Sequence, residues 1–405
     1  MRLKDVVILR NEKTTDTSRS YIALENIISW DAKYIESSIE TEGTNSVFKP
    51  NDILFGKLRP YLAKGFIPSY EGICSTEFFV LKAKKGYYTQ YLLYLLLSHS
   101  FIDYIKNQVA GVKMPRTNWE TFSSIEVSIP SLEVQQRIVE YLEAKTTEID
   151  KKIELLGKKR DAYNRLKTAT INHAVTRGLD EHVKLKDSIV DWIGEIPTHW
   201  KQFRLKDIGY MYSGLTGKSG EDFRSEDGSI VKPYIPFTNI LYNTIVSGEH
   251  FHYVVMGDEE FQNIVKKDDI LFLMSSEDYE SIAKSAVVLD DFGEVFLNSF
   301  CRGLRITKNT AYAPFVNYQL NSTIYRDALR FEARGFTRIN IKIDRIEGHI
   351  VTLPPLEEQK QIAAYLDDRC AKIDEAVTII DKQIDALKRL KRSLINEVVT
   401  EKRKV

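Results

Sequence analysis

The feature that most constrains this sequence is an internal repeat: residues 129–180 align without a gap to residues 353–404. At this constant offset of 224, 19 of the 52 aligned positions are identical, which chance does not produce over an ungapped stretch. Shorter echoes precede each copy, RLKD at Arg2 and Arg204 and DILF at Asp52 and Asp269. The chain is therefore an internal duplication of one unit, and its two halves are expected to share one fold.

The downstream part of each copy has the pattern of a long helix. In the second copy Pro354-Pro355 precedes Glu357 and Glu358, and proline at the first helical position with acid in the first turn is typical of a helix start. Apolar residues then recur every seven positions, a heptad seam that predicts a coiled coil. The seam residues are Leu142, Ile149 and Leu156 in the first copy and Leu366, Ile373, Ile380, Leu387 and Leu394 in the second.

This seam needs a partner helix. At positions four residues after members of this series, the second copy has mostly apolar residues, whereas the first copy has Thr146, Arg160 and Lys167. Two arrangements would cover such a seam: antiparallel packing of the two helices of one chain, or association of helices from different chains. The repeat favours the intramolecular pair.

The upstream parts alternate short apolar runs with turn residues, which predicts strands at 52–55, 77–81, 269–274 and 286–289. Residues 87–106 and 314–334 are predicted to be helical, and Gly335 ends the second segment. Each upstream part is thus expected to be an α+β domain. The predicted boundaries are 1–130 for the first domain, 131–180 for the first long helix, 181–200 for a linker, 201–353 for the second domain and 354–405 for the second long helix.

Composition narrows the classes of function. Lysine plus arginine and aspartate plus glutamate both number 57, so a polyanionic partner would have to meet local basic patches. Three well-separated cysteines predict neither a disulfide framework nor a zinc site, and His250 and His252 lack a third ligand nearby. The start has no apolar signal segment and no apolar run could span a bilayer, so we expect a cytoplasmic protein without a membrane role.

Motifs for cofactor chemistry are absent from the sequence. It contains no G-x-G, so neither a dinucleotide fingerprint nor the glycine-rich loop of an S-adenosylmethionine enzyme can be placed. Gly217-Lys218-Ser219 resembles the end of a phosphate loop, but Tyr212 stands where the first glycine would be needed. We predict no cofactor, no metal and no catalytic activity.

Basic residues cluster in the upstream domains. Residues 55–64 interleave cations with glycine, proline and aromatic residues, and both copies place cations just after a glycine, Gly111 or Gly335. Arginine can bond guanine bidentately and lysine suits phosphate, so these segments predict DNA contact; the alternative is that they are ordinary solvated loops. The candidate DNA-binding residues are Lys57, Arg59, Lys64, Lys113, Arg116, Lys218, Arg334, Arg338 and Lys342.

These motifs together resemble the specificity subunits of type I restriction-modification systems. The resemblance covers nearly the whole chain and is carried by (L/I)PxLExQxxI at both helix starts, YIALENI from Tyr21, DILFGKLRPYLAK from Asp52, ICSTEFFVLK from Ile73 and DWIGEIPTHW from Asp191. It implies two target recognition domains, each reading one half of a bipartite asymmetric DNA site, separated by two long helices that form an antiparallel coiled coil.

The resemblance also implies a non-catalytic subunit whose partners are double-stranded DNA, two methyltransferase subunits per chain and, through the complex, restriction subunits. Two alternatives from other classes stay open at this point. One is the recognition module of a fused or stand-alone DNA adenine methyltransferase, against which the missing cofactor motifs count. The other is a coiled-coil scaffold that binds no DNA.

Overall fold

A computed structural model describes residues 1–36, 39, 41–108, 115–223, 230–257 and 260–404 of the chain. The chain divides into two compact units, one made of residues 1–159 and 379–405 and the other of residues 160–378. Each unit therefore contains one α+β domain, the first part of the long helix that follows it in the chain, and the last part of the other long helix.

Within its described residues the first unit contains two four-stranded sheets. One has the order β1-β8-β5-β6 and is antiparallel throughout; the other has the order β2-β4-β7-β3, with β3 parallel to β7. The strands are β1 (Val7–Leu9), β2 (Lys13–Thr14), β3 (Tyr21–Ile22), β4 (Asn45–Phe48), β5 (Ile53–Gly56), β6 (Gly65–Phe66), β7 (Gly72–Cys74) and β8 (Phe78–Ala83), with 3-10 turns at Leu3–Asp5, Leu24–Asn26 and Pro60–Leu62.

The central strands of the first unit contribute to two cores because their side chains alternate between the faces of the sheet. Phe55 and Phe79 belong to the core that includes the helices, whereas Leu54 and Val80 belong to the core shared with the second sheet. The helices are α1 (Thr89–Leu96), α2 (His99–Gln108), α3 (Trp119–Ser124) and the long α4 (Leu132–Arg177).

The second unit repeats this plan. Its main antiparallel sheet has the order β12-β19-β15-β17, and Phe272 and Leu271 of β15 again face two different cores. The strands are β9 (Leu185–Asp187), β10 (Glu195–Pro197), β11 (Lys201–Arg204), β12 (Gly209–Ser213), β13 (Val231–Ile235), β14 (His252–Val255), β15 (Asp269–Leu273), β16 (Ser275–Ser276), β17 (Ser285–Val287), β18 (Phe296–Leu297), β19 (Cys301–Ile306), β20 (Ile339–Asn340) and β21 (Ile350–Leu353). The helices are α5 (Leu205–Ile208), α6 (Phe237–Tyr242), α7 (Ala313–Asn321), α8 (Thr323–Glu332), α9 (Ile343–Glu347) and the long α10 (Leu356–Val399), with a 3-10 turn at Gly248–His250.

The four predicted strands are confirmed by β5, β8, β15 and β17, but the two predicted upstream helices are each broken in two. The breaks fall at Ser98 and Ser322, which are 224 residues apart and both buried. Each serine hydroxyl donates to the carbonyl oxygen three residues earlier, of Leu95 or Gln319, at 2.7 Å. A serine that bonds its own backbone competes with helix continuation, and this local competition turns the chain at the same place in both copies.

The buried heptad seam confirms the coiled-coil prediction. Six of its residues, Leu142, Ile149, Leu366, Ile373, Ile380 and Leu394, are at most 7% exposed, and Leu156 and Leu387 are half-buried. The first part of α4 lies in the same unit as the last part of α10, and the last part of α4 lies with the first part of α10. This pairing is that of two antiparallel helices within one chain.

Two ion pairs between the long helices occupy equivalent positions in the repeat. Lys391 contacts Asp150 at 2.8 Å in the first unit, and Lys167 contacts Asp374 at 2.6 Å in the second. Because both lysines and both aspartates are 224 residues apart, the two pairs are related by the repeat itself. Lys167, which occupies a seam position, thus meets an aspartate of the opposite helix.

The last part of each long helix also completes the domain of the other copy. The Asn396 side-chain oxygen accepts a bond from the Ser100 backbone at 2.9 Å, and that of Asn172 accepts one from the Thr323 backbone at 3.1 Å. Both bonds are to the first turn of a domain helix, where backbone N–H groups lack helical partners. The two repeats therefore exchange their helix ends.

The segment before the second domain packs into the second unit. β9 and β10 form a hairpin, and Trp200 after it is fully buried. The Trp200 indole N–H donates to Glu358 Oε1 at 3.0 Å, and its ring lies edge-on to Phe315. In the described part of the chain, every helix is too short or too polar to cross a membrane.

Candidate nucleic-acid interface

In both domains the loop after the central strand is bonded to the loop that follows the helix pair. In the first domain Arg59 N donates to Pro115 O at 2.8 Å and Thr117 N donates to Lys57 O at 3.0 Å. In the second domain β16 pairs with β20, which lies in the equivalent loop. Two segments that are far apart in the sequence, and that were predicted separately to contact DNA, are thus joined into one surface.

The loop of residues 57–64 is held rigidly. Arg59 and Ala63 both have left-handed backbone conformations, with φ of 49° and 46°. The Lys64 ammonium group donates to Leu24 O at 2.7 Å, and Lys284 makes the equivalent bond in the second domain at 3.0 Å. Lys64 therefore fixes the end of this loop to the 3-10 turn that contains Leu24.

A basic cavity of about 330 Å³ lies beside this loop in the first domain. Four cationic side chains line it, those of Arg10, Lys13, Lys57 and Arg116. Burial lowers the pKa of Lys57, and the neighbouring charges of Arg116 and Lys13 lower it further against the opposing effect of Glu77. Arg10 is paired with Asp52 and Arg116 with Glu77, so an anionic ligand would be attracted mainly by Lys13 and Lys57.

Unsatisfied hydrogen-bonding atoms lie at the same place. Arg116 donates to Glu77 Oε1 at 2.6 Å, while Glu77 Oε2 is buried and has no hydrogen-bond partner among the described residues. The buried Arg59 Nε likewise has no hydrogen-bond partner among the described residues. The paired loops thus contain a buried donor and a buried acceptor whose hydrogen bonding is incomplete among the described residues.

The second domain presents its cations on an exposed loop. Arg334 and Asn340 exchange two backbone hydrogen bonds of 2.9 Å, so the loop between them is a closed hairpin. Arg334, Arg338 and Lys342 are all exposed, and the Arg338 guanidinium lies 4.5 Å from the ring centroid of the half-exposed Phe300. The loop therefore combines freely accessible cations with an aromatic face.

Two further arginines, both in α8, fix the loop between β15 and β17. Arg326 donates to the carbonyl oxygens of Glu280 and Ile282 at 2.7 and 3.0 Å, and burial lowers its pKa to about 10. Arg330 contacts Glu280 and Asp327. Of the three arginines spaced four apart in the sequence, these two thus anchor the β15–β17 loop, and Arg334 alone reaches the exposed hairpin.

The remaining predicted residues differ in their positions. Lys218 is buried at its tip, where it bonds Val255 O at 2.7 Å and forms an ion pair with Glu260. Lys113 lies outside the described residues. Sequence reasoning missed Arg10 and Lys13, because they come from the first strands of the domain and only the sheet brings them beside Lys57.

Comparison with known proteins places this architecture in a family. The model of the type I restriction modification DNA specificity domain matches residues 1–159 and again residues 197–389. The chain belongs to the type I restriction-modification specificity subunits. It is 25% identical to the MjaVIII specificity subunit of Methanocaldococcus jannaschii over 342 residues, which are 83% of this chain and 75% of that one. It is 30% identical to the EcoDI specificity subunit of Escherichia coli over 127 residues, 30% of this chain and 28% of that one.

Solved structures with low sequence identity to this specificity subunit have the same fold. A chain from a structure describing complex assembly and conformational transition of the type I R-M system aligns with a TM-score of 0.75 and 18% identity, covering 98% of this chain and 96% of that chain. The HsdS subunit of Thermoanaerobacter tengcongensis aligns with a TM-score of 0.52 and 19% identity, covering 98% and 95%. The two α+β domains described above are therefore its target recognition domains.

Proposed function

We propose that this specificity subunit reads a bipartite, asymmetric DNA sequence, one half with each target recognition domain, and catalyses no reaction itself. The observation that carries the proposal is the repeated pairing of two loops in each domain, with cations at the paired loops. We assign the reading domains to residues 1–130 and 201–353. A cytoplasmic location follows from this role, since DNA is its ligand.

The two reading surfaces are unlike, which supports asymmetry of the site. The first domain offers a cavity lined by two half-buried cations, Arg10 and Lys57, and two exposed ones, Lys13 and Arg116, whereas the second offers an exposed hairpin with Arg334 and Arg338. Two identical domains related by two-fold symmetry would read a palindrome, because half-sites mirror the symmetry of the protein. Two different surfaces must therefore select two different half-sites.

Exposed apolar residues on the long helices support docking of two methyltransferase subunits per chain. Leu155 and Ile379 are 64% and 48% exposed, and Leu166 and Leu390 are 43% and 54% exposed. Each pair is related by the offset of 224, so the same exposed apolar positions occur in both copies of the repeat. Repeated positions of this kind fit the docking of two copies of one partner, through which restriction subunits would join.

The proposal is tested by mapping DNA methylation in a host that expresses the methyltransferase subunits with and without this chain. We expect a gapped motif with two unlike halves that appears only with the chain. Arg338→Ala should alter one half of that motif, and Arg116→Ala should alter the other. Absence of any chain-dependent motif, in a complex shown to assemble, would favour the scaffold alternative.

A further inference from the structure

The hairpin between Arg334 and Asn340 carries an aromatic side chain at its tip. Phe336 is fully exposed to solvent, and the residue before it, Gly335, has a φ of 145°. A Cβ atom at Gly335 would lie 2.0 Å from the Arg338 backbone oxygen, so only glycine allows this tight turn. Together with the two backbone bonds that close it, the turn presents Phe336 on a fixed support.

Cations flank this phenylalanine on both sides, and aromatic contacts hold them. The Arg334 guanidinium lies 5.9 Å from the Phe331 ring centroid and donates to the Ala333 carbonyl at 2.8 Å, while Arg338 stacks on Phe300. The same domain buries large aromatic residues such as Phe315 and Tyr325 completely. An apolar ring left in water between two held cations therefore fits a ligand with both an anionic backbone and an apolar interior.

Duplex DNA has this combination of properties. DNA-binding proteins insert apolar side chains, phenylalanine among them, between adjacent base pairs and kink the helix there, while arginine and lysine contact the flanking phosphates. A protein surface that merely covered Phe336 would have to bury Arg334 and Arg338 as well, and burying a charge is costly unless the charge is paired or fully hydrogen-bonded. The charge of the hairpin thus favours DNA as its partner.

We propose that Phe336 acts as a wedge that inserts between two stacked base pairs of the half-site read by the second target recognition domain. This inference rests on the proposed function. The wedge contributes to specificity at a step that no side chain contacts by hydrogen bonds, because pyrimidine–purine steps unstack more easily than others. The half-site should therefore contain a flexible step at a fixed position.

The test uses the complete complex with its methyltransferase subunits and the DNA motif found by methylation mapping. 2-Aminopurine placed at successive positions of the second half-site reports unstacking as increased fluorescence. We expect an increase at one step with the parent chain, loss of this signal with Phe336→Ala and partial retention with Phe336→Leu. Affinity for the specific site should fall roughly tenfold with Phe336→Ala, as expected for the loss of one base–aromatic contact.

The matched control is Phe261→Ala. Phe261 is also nearly fully exposed in the same domain, but the residues after it bond to Thr216 and Ser213 rather than to the hairpin. This variant should keep both the fluorescence signal and the affinity. A mismatch at the wedge step should strengthen binding of the parent chain and leave Phe336→Ala unaffected, because the mismatch has already weakened the stacking.

Three results would overturn the wedge. The first is a parent complex that binds its motif without unstacking any step. The second is a Phe336→Ala variant that assembles poorly with the methyltransferase subunits yet keeps the fluorescence signal, which would make the hairpin a protein contact. The third is loss of motif binding in Arg338→Ala with Phe336→Ala unchanged, which would leave the proposed function intact. Failure of the parent chain to bind any motif would instead refute the proposed function.

Discussion

The two repeat-related ion pairs between the long helices should differ in their contribution to stability, and Lys391→Met tests this. Lys391 is 10% exposed at its side chain and contacts Asp150 at 2.8 Å and Asp31, both of them about a quarter exposed. Its counterpart Lys167 is 32% exposed and faces an Asp374 that is 57% exposed. Methionine approximates the lysine chain without its terminal ammonium group, so the substitution removes the charge together with its hydrogen-bond donors.

The expected magnitude follows from burial. Removing one partner of a fully buried pair costs about 3–5 kcal/mol, because the other charge stays buried and unpaired. Asp150 keeps a second partner, Lys33 at 2.7 Å, and some access to water, so we expect a loss of about 2 kcal/mol for Lys391→Met. The exposed pair should contribute below about 1 kcal/mol, so Lys167→Met serves as the matched control.

The pH dependence provides a second check. Burial raises the pKa of Asp150, but the hydrogen bonds from Lys33 and Lys391 and their charges outweigh it, so the pKa is lowered overall. A lowered pKa in the folded state means that the stabilisation is present above the unfolded pKa of about 4 and is lost as pH falls through the folded pKa. The difference between parent and Lys391→Met should therefore shrink below pH about 4.

Hydrogen exchange during a urea titration measures this, since peptides from the first unit and the second unit are resolved separately. We expect the opening free energy of peptides around Lys391 to fall, with those of the second unit unchanged. Equal losses for Lys391→Met and Lys167→Met, or no narrowing of the difference in acid, would show that burial does not decide the strength of these pairs.

Three further outcomes are expected. Ile380→Asp puts a charge into the seam and should lower the free energy of unfolding, measured by denaturation, by about 3–5 kcal/mol. The adjacent exposed Ile379→Asp should change that free energy by less than about 1 kcal/mol but weaken methyltransferase docking in size-exclusion chromatography. An Ile380→Asp variant as stable as the parent would refute the seam. Asp269→Asn weakens the ion pair that the buried Asp269 forms with Arg305 at 2.7 Å. It should destabilise the second unit by about 2–3 kcal/mol in thermal unfolding, and an unchanged midpoint would contradict this. Arg338→Ala should relax the preference for one base and reduce the free energy of DNA binding by about 1–3 kcal/mol. Lys342→Ala should reduce the affinity for all DNA sequences equally and lower the salt slope by about one in filter binding. Unchanged DNA binding by both variants would show that this loop is an ordinary solvated surface.

Interaction surfaces were the least predictable part of this protein. Lys57 and Arg116 were identified from composition, but the cavity that joins them to Arg10 and Lys13 depends on strand pairing between residues many positions apart. Lys218 looks like the other candidates in the sequence, yet the fold turns it inward onto Glu260. A cation has the same sequence signature whether it is free or paired, because its partner comes from elsewhere in the fold.

Local and periodic information in the sequence determined the architecture. The ungapped repeat established two copies of one unit, and the heptad period with its helix-start signals predicted the two long helices and their buried seam, because these patterns depend on residues near one another in the chain. Tertiary structure alone decided which helix end completes which domain. Asn396 reaches Ser100 and Asn172 reaches Thr323 only because antiparallel packing brings each helix end to the other copy, and such long-range contacts leave no periodic trace in the sequence.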